Sequence, residues 1–276
     1  MRSLVVVAVS RACLPRLVAS SLVSAGPTIE LRQLLPEYRT TTAGELLQAI
    51  DPTTVPATDR PYTIVNFIAT ADGRAAFDGR SGPISDPGDR EFFHGLRERV
   101  DAVMAGTGTL RTERYGRITR DPERRERRVA AGLRPEPIAG VISRSGAVPT
   151  DIPLFADPEA TVVVFTAREL DTSACAAEVE VVRLDPEQVT MTTALRHLRA
   201  EHGVRLLLCE GGPTVFGALL HEGLVDELFL TISPKLAGGG TGPTITSGPE
   251  LPELLELDLR WALEHEGTLF LRYATR

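Results

Sequence analysis

Lysine is nearly absent from this chain. Of its 276 residues only Lys235 is a lysine, and every other basic residue is arginine. We read that asymmetry as the bias of a GC-rich coding sequence, not as a functional signal. An excess of positive charge is missing too: the formal net charge is -7 at pH 7, which argues against nucleic acid as a partner. Cysteine occurs three times, at Cys13, Cys175 and Cys209, with no Cys-x-x-Cys pair and no metal-ligand spacing. No metal ion is therefore expected, and such cysteine usage suits a reducing cytosol, so the expected location is cytoplasmic. No apolar run reaches the roughly 20 residues of a membrane span, so a membrane is not an expected partner. Internal repeats are also missing, and no linker or break in composition follows residue 60.

A chain of this length holds one large domain or two small ones, and buries roughly 75% of its unfolded surface without staples. Residues 1–27 stand apart. Their short valine-rich start is followed by Arg11 and Arg16. They fit a disordered extension or a start codon set too far upstream; a secretion signal is the alternative, against which the two arginines count. Residues 28–60 read as a lead-in segment with a short amphipathic helix over 43–50 and a proline-rich connection over 51–61. Residues 61–276 read as a single domain.

Within that domain, near-continuous apolar runs alternate with helical patterns. Tyr62 to Ala69, Val100 to Ala105, Pro137 to Ser143, Thr161 to Thr166, Val179 to Leu184, Val204 to Cys209 and Leu224 to Ser233 read as strands, most of them covered on both faces. Thr268 to Tyr273 alternates as a final strand. Ser85-Asp86-Pro87 opens a helix to about Arg99, with a cap residue followed by proline at the first position. On that helix Arg90, His94 and Arg97 share a face, either solvated or, for Arg97, turned to a phosphate. The arginine-rich stretch 111–134 reads as a solvated loop and helix. Strands alternating with helices predict an α/β fold with a mostly parallel sheet, whose ligands sit at the strands' carboxyl ends. The turns at Thr70, Gly106, Ser143 and Glu210 all fall there.

The stretch Leu206-Leu207-Leu208-Cys209-Glu210-Gly211-Gly212-Pro213-Thr214 is the most informative. It reads as a buried strand, a glycine turn and a helix continuing through Val215 and Phe216. Glycine permits close backbone approach, and proline suits the first helical position. Such a turn aims amide N–H groups and a helix N-terminus at one spot, which favours an anion such as a phosphate, although one helix dipole contributes only ~0.3–1 kcal/mol. A plain strand-to-helix turn is the other reading. Two readings also stand for Asn66, a core amide or a ligand contact, and for Asp72, a turn residue or a catalytic carboxylate.

Taken together, Asn66 through Asp72-Gly73, Gly106-Thr107-Gly108-Thr109, Glu210-Gly211-Gly212-Pro213-Thr214, and Val225-Asp226-Glu227-Leu228 through Pro234-Lys235 with Gly238-Gly239 resemble the riboflavin-biosynthesis pyrimidine reductase family. This is the C-terminal reductase half of the bifunctional deaminase-reductase. The resemblance runs from about Pro61 to Tyr273. It implies a dihydrofolate reductase-like fold: a mostly parallel central sheet flanked by helices, with antiparallel strands at the end. It implies NADPH-dependent reduction of 5-amino-6-(5-phosphoribosylamino)uracil, ribosyl to ribityl.

Carried over by resemblance, Gly211, Gly212, Pro213, Thr214, Val215 and Phe216 would hold the cofactor's diphosphate. Thr109 and Glu113 would touch the cofactor, Ser143 would sit by its adenosine ribose, and Arg144 would meet its 2′-phosphate. Asn66, Ser81, Arg97, Arg120 and Glu210 match substrate-contacting positions, the arginines suiting a sugar phosphate. Glu210 and Asp72 are the candidate carboxylates for stabilising an iminium-like acceptor. Asn66 replaces a common lysine, and Arg114-Tyr115 replaces the usual Asp-Pro, which puts the acceptor in question more than the cofactor. The deaminase motif, His-x-Glu with Pro-Cys-x-x-Cys, does not occur, so deamination is expected on another chain. The expected partner besides the small molecule is a second copy, a homodimer. The alternatives are a reductase of another heterocycle, such as a dihydropterin, and an NADP(H)-binding protein without turnover.

Overall fold

The protein is described by a computed structural model covering residues 29–276. The expectations for residues 1–27 lie outside the described residues. The chain begins with β1 (Glu30–Leu35), β2 (Arg39–Thr42) and α1 (Ala43–Leu47), then β3 (Tyr62–Thr70), α2 (Pro87–Arg99), β4 (Ala102–Gly106) and α3 (Thr107–Thr112). It continues with α4 (Pro122–Ala130), β5 (Ile138–Ser143), β6 (Thr161–Thr166), β7 (Glu178–Arg183) and α5 (Met191–His202). It ends with β8 (Leu206–Cys209), α6 (Pro213–His221), β9 (Glu227–Ser233), β10 (Leu257–His265) and β11 (Thr268–Thr275).

These strands form one 11-stranded sheet in the order β2-β1-β10-β11-β9-β3-β8-β4-β5-β6-β7. From β9 to β7 every pairing is parallel; from β9 to β2 every pairing is antiparallel. The fold is therefore the α/β, mostly parallel arrangement expected, with a larger antiparallel wing.

Side chains along the central strands alternate between two cores. Ile64, Val103, Val141, Val162 and Leu208 pack with Phe92 and Leu96 of α2 on one face. Val65, Met104, Val163 and Leu207 pack with Leu195 and Leu198 of α5 and Leu219 of α6 on the other. Coverage on both faces is why these strands read as unbroken apolar runs.

The wing differs from the sequence reading. Residues read as a lead-in supply β1 and β2, which extend the sheet beyond β10, and Leu31 is buried against the same core as Trp261 and Leu263. Strand β10 was not anticipated. Its pairing with β11 shifts register between Leu259 and Trp261, and β1 shifts between Gln33 and Leu35. Such bulges break the period-2 signal on which strand recognition depends. Among the described residues no helix is long and apolar enough to cross a membrane.

Candidate active site

Because seven strands run parallel, their carboxyl ends share one rim. The turns after β3, β4, β5 and β8 meet there around a cleft of about 940 Å³. Asn66, Ser81, Arg97, Thr109, Glu113, Arg120, Arg144, Glu210, Gly212, Pro213, Thr214 and Val215, all singled out from sequence, line it. Asp72, Ser143, Gly211 and Phe216 are not among its lining residues.

The ends of β4 and β8 are knitted tightly. Gly106 N–H donates to the Gly211 carbonyl at 2.7 Å. Gly211 has φ +94°, in the region that favours glycine, and a Cβ there would meet the Phe67 ring at 2.9 Å. A Cβ on Gly212 would meet Thr109 Oγ1 at 2.9 Å. Neither glycine has room for a side chain, and at Gly212 the main chain itself faces the cleft. Gly212 is also the N-cap of α6 and no side chain caps the helix, so its N-terminal end faces the cleft bare. Thr109 lies against this turn. Phe216 stacks on Phe67, with ring centroids 5.3 Å apart, and belongs to the core beneath it.

Glu210 and Arg97 were each expected to face a substrate; the structure joins them to each other. Arg97 Nε and Nη2 donate to the two Glu210 oxygens at 2.6 and 2.7 Å, and Nη1 donates to the Ile118 carbonyl at 2.9 Å. The Arg97 guanidinium lies 4.1 Å from the Phe93 ring centroid. Side-chain exposure is 9% for Arg97 and 1% for Glu210, so each charge is paired within the protein at the edge of the cleft. Burial acts to lower the guanidinium pKa, but the charge and hydrogen bonds of Glu210 outweigh it and hold the pKa above its ordinary value.

Tyr115 completes the group, its hydroxyl donating to Glu210 Oε2 at 2.7 Å. Burial first, and Glu210 second, push this phenol well above its ordinary pKa, so it remains a donor. The Arg114-Tyr115 replacement, which reads from sequence as a lost motif, thus supplies a site residue. His94 lines the same cleft, and burial and nearby arginines push its pKa down.

Asp72 sits elsewhere. Its carboxylate is held by Thr70 Oγ1 and by the Ala237 and Gly238 N–H groups, and these hydrogen bonds lower its pKa to about 2. It fastens the loop after β9 to the turn after β3. Lys235 makes a second tie, with Nζ donating to the Pro83 and Ile84 carbonyls at 2.9 and 3.3 Å. The loop it holds carries Ser81, whose N–H and hydroxyl both reach Glu113 Oε1 at 3.3 Å. Ser81 and Glu113, assigned by resemblance to substrate and cofactor, therefore close one edge of the cleft together.

On β5, Ser143 is buried beneath the rim while Arg144 is exposed on it, with Nη2 3.4 Å from the Val189 carbonyl. Asn66 is half-buried on β3 and opens onto the cleft, and among the described residues its amide makes no side-chain hydrogen bond. Arg90 and Arg120 are exposed cleft cations that enter no ion pair among the described residues.

A buried acid on the cleft lining is not apparent from the sequence. Asp89, in the first turn of α2, is 7% exposed and accepts from Ser85 Oγ at 2.6 Å, with Thr231 of β9 beside it. Burial raises its pKa, opposed by the Ser85 and Thr231 hydroxyls. The available signal was an acid three residues after a cap, which in sequence is indistinguishable from a favourable helix-dipole partner.

Known proteins resemble this chain in sequence and in structure. A model of the RibD C-terminal domain matches residues 61–268. A 2,5-diamino-6-ribosylamino-4(3H)-pyrimidinone 5′-phosphate reductase of Archaeoglobus fulgidus is 31% identical over 192 residues, covering 68% of this chain and 87% of the relative. A protein of the same name from Methanothermobacter thermautotrophicus is 29% identical over 212 residues, covering 76% and 94%. Among solved structures, a pyrimidine reductase-like protein from Corynebacterium diphtheriae superposes with a TM-score of 0.70 at 25% identity, covering 86% of this chain and 99% of that one.

Proposed function

The chain belongs to the RibD C-terminal domain family, and on that premise we propose that it reduces the ribosyl group of a 6-ribosylaminopyrimidine 5′-phosphate to ribityl, with NADPH as hydride donor. The observation that carries this reading is the pairing, across one cleft, of a wall of bare main chain with a wall bearing Asn66, Asp89 and Arg120.

The bare wall fits a dinucleotide. Gly212, Pro213, Thr214 and Val215 would hold the diphosphate at the uncapped helix end. Thr109 and Glu113 would flank it, and Arg144 would meet the 2′-phosphate. Bound there, the cofactor supplies a hydride to the sugar carbon. The chain's own residues position the acceptor, and such positioning contributes roughly 7–11 kcal/mol to rate enhancement. Glu210 acts as the neutralised floor of the site with Arg97 and Tyr115, in place of the free carboxylate expected from sequence. Arg120 and Arg90 take the sugar phosphate in place of Arg97.

Asp89 favours one acceptor over the other. A 2-amino-4-oxopyrimidine presents N3–H and its amino N–H as adjacent donors, which a carboxylate accepts together. Those two donors also stabilise the ionised form that burial disfavours. A uracil replaces the amino group with a carbonyl, whose lone pairs face the carboxylate. The diaminopyrimidinone named for the archaeal relatives is thus preferred over the uracil expected from sequence. A dihydropterin shares the 2-amino-4-oxo edge and is the second reading; it lacks the phosphate for which Arg90 and Arg120 stand open. We read the location as cytoplasmic. We read the assembly as a homodimer, supported by exposed Leu254 and Leu255 before β10 and Leu259 on it.

Stopped-flow NADPH oxidation with the diaminopyrimidinone, the uracil and dihydrofolate side by side tests the reading. Turnover is expected to be fastest with the diaminopyrimidinone. Asp89→Asn, which presents one acceptor and one donor, is expected to lower kcat/KM for that compound about tenfold to a hundredfold and to spare the uracil. Oxidation by dihydrofolate alone would establish the second reading, and NADPH binding with no acceptor reduced would leave a cofactor-binding protein.

A further inference from the structure

We propose that Glu180, His197 and His202 form a binding site for a divalent transition-metal ion of the zinc class, at the sheet's far edge and separate from the cleft. None of the three lines the cleft. Glu180 lies on β7, which ends the sheet and pairs only with β6. His197 and His202 lie on α5, five residues apart, with His202 the last helical residue before the Gly203 cap.

The three side chains converge. His197 Nε2 is 2.9 Å from Glu180 Oε1, and His202 Nε2 is 2.9 Å from Glu180 Oε2. The candidate ligand atoms all lie within 4.8 Å of one another. The Phe165 and His197 rings pack in a T-shaped arrangement, 5.4 Å between centroids and 81° between planes, which supports that imidazole. Two imidazoles hydrogen-bonded to one carboxylate would be the simpler account, and it covers His197. It does not cover His202, whose Nε2 is buried without a hydrogen-bond partner even though Glu180 Oε2 is at contact distance. A buried ring nitrogen that lies beside a carboxylate without a hydrogen bond to it keeps a lone pair that a cation can take.

The donor set selects the ion. Two imidazole nitrogens and one carboxylate suit zinc and its neighbours in the transition series, whereas magnesium and calcium require oxygen ligands throughout. Tetrahedral bonds of about 2.0–2.2 Å place ligand atoms about 3.4 Å apart, between the 2.9 Å contacts and the 4.8 Å outer limit of this cluster, so side-chain rotation that opens the short contacts and closes the wide ones would seat the ion. Side-chain exposures of 41% for Glu180, 23% for His197 and 16% for His202 leave an entry path and room for water at the remaining position. The ion would tie the last strand of the sheet to the end of α5.

Titration calorimetry of the tag-free full chain with ZnCl2 tests this, with MgCl2 as the control. One Zn2+ per chain is expected, weakened at least tenfold in both Glu180→Gln and His202→Gln, with no saturable Mg2+ binding. At zinc a hundredfold above Kd, Tm is expected to rise by about 5 °C. Should either variant fail to fold, the visible spectrum of Co2+ bound to the unaltered chain decides, since four-coordinate imidazole ligation gives intense bands that an aquo ion lacks. No saturable Zn2+ binding, binding unchanged in both variants, or a Co2+ spectrum of the aquo ion would overturn the proposal.

Discussion

Glu210 shows how a residue's chemistry is set by its neighbour. Its charge is spent on Arg97, and both lie among Phe93 and Tyr115 with almost no exposure. Removing one partner of a buried pair strands the other charge, which typically costs about 3–5 kcal/mol. Glu210→Gln is therefore expected to destabilise the fold by about that much, read as the midpoint of urea unfolding, and the double variant with Arg97→Gln is expected to recover part of the loss. A change under about 1 kcal/mol in the single variant would mean the pair is not holding the cleft floor. Asp72 shows the opposite case, an exposed carboxylate with a structural task. Its hydrogen bonds lower its pKa from the ordinary 3.8 to about 2 in the folded state. The stability it contributes is present above pH 3.8 and is lost as pH falls through about 2. Asp72→Asn is expected to melt below the unaltered protein at pH 7, with the gap closing between those two values. A gap that persists at pH 2 would show that the carboxylate's charge is not what the loop uses.

At the scale of elements, the end of α2 depends on an arginine from α4. Arg128 is 0% exposed, and its Nη1 donates to the carbonyls of Arg97, Glu98 and Val100 while Nε donates to that of Arg134. Three of these carbonyls belong to the unpaired last turn of α2 and the residue that caps it. Burial lowers this guanidinium's pKa to about 10. Arg128→Met is expected to cost about 2–4 kcal/mol in urea unfolding and to weaken catalysis, because Arg97 sits in the turn it anchors. Full activity with an unchanged midpoint would sink that role. In sequence, Arg124 to Arg128 reads as a solvated charge run, and for Arg125 and Arg127 the surface ion pairs agree. What is invisible is which arginine turns inward, since its partners are carbonyls of another helix. Strands β3, β4, β5 and β8 were legible for a local reason: both faces are covered, so their runs are continuous. Strands β1 and β10 were not, because their outer halves are exposed and bulged.

At the scale of the whole molecule, the parallel order explains why so much of the cleft was recoverable. Turns that follow parallel strands must gather on one rim, so Gly106, Arg144 and Glu210 could be brought together from strand positions alone. Pairings across that rim could not. The bonds between Arg97 and Glu210 and between Ser81 and Glu113 depend on side-chain reach between distant segments, and no spacing encodes it. The wing was misjudged for a related reason: β1 and β10 are separated by most of the chain yet are neighbours in the sheet. A chain beginning at Ala43, lacking β1 and β2, would expose the edge of β10 and uncover Trp261 and Leu263. It is expected to lower Tm by about 5 °C or more and to aggregate, read by light scattering during melting. Equal Tm and clean scattering would show that the wing is dispensable.

The clasp over the cleft uses the sequence's solitary lysine. A reagent that acylates ε-amines thus has a single side-chain target, and that target is the fastening between two loops at the mouth of the cleft. Blocking it would unclip the mouth without touching any other side-chain amine. Exposed to solvent, Lys235 is a natural point of attachment at that fastening, with no engineered handle required.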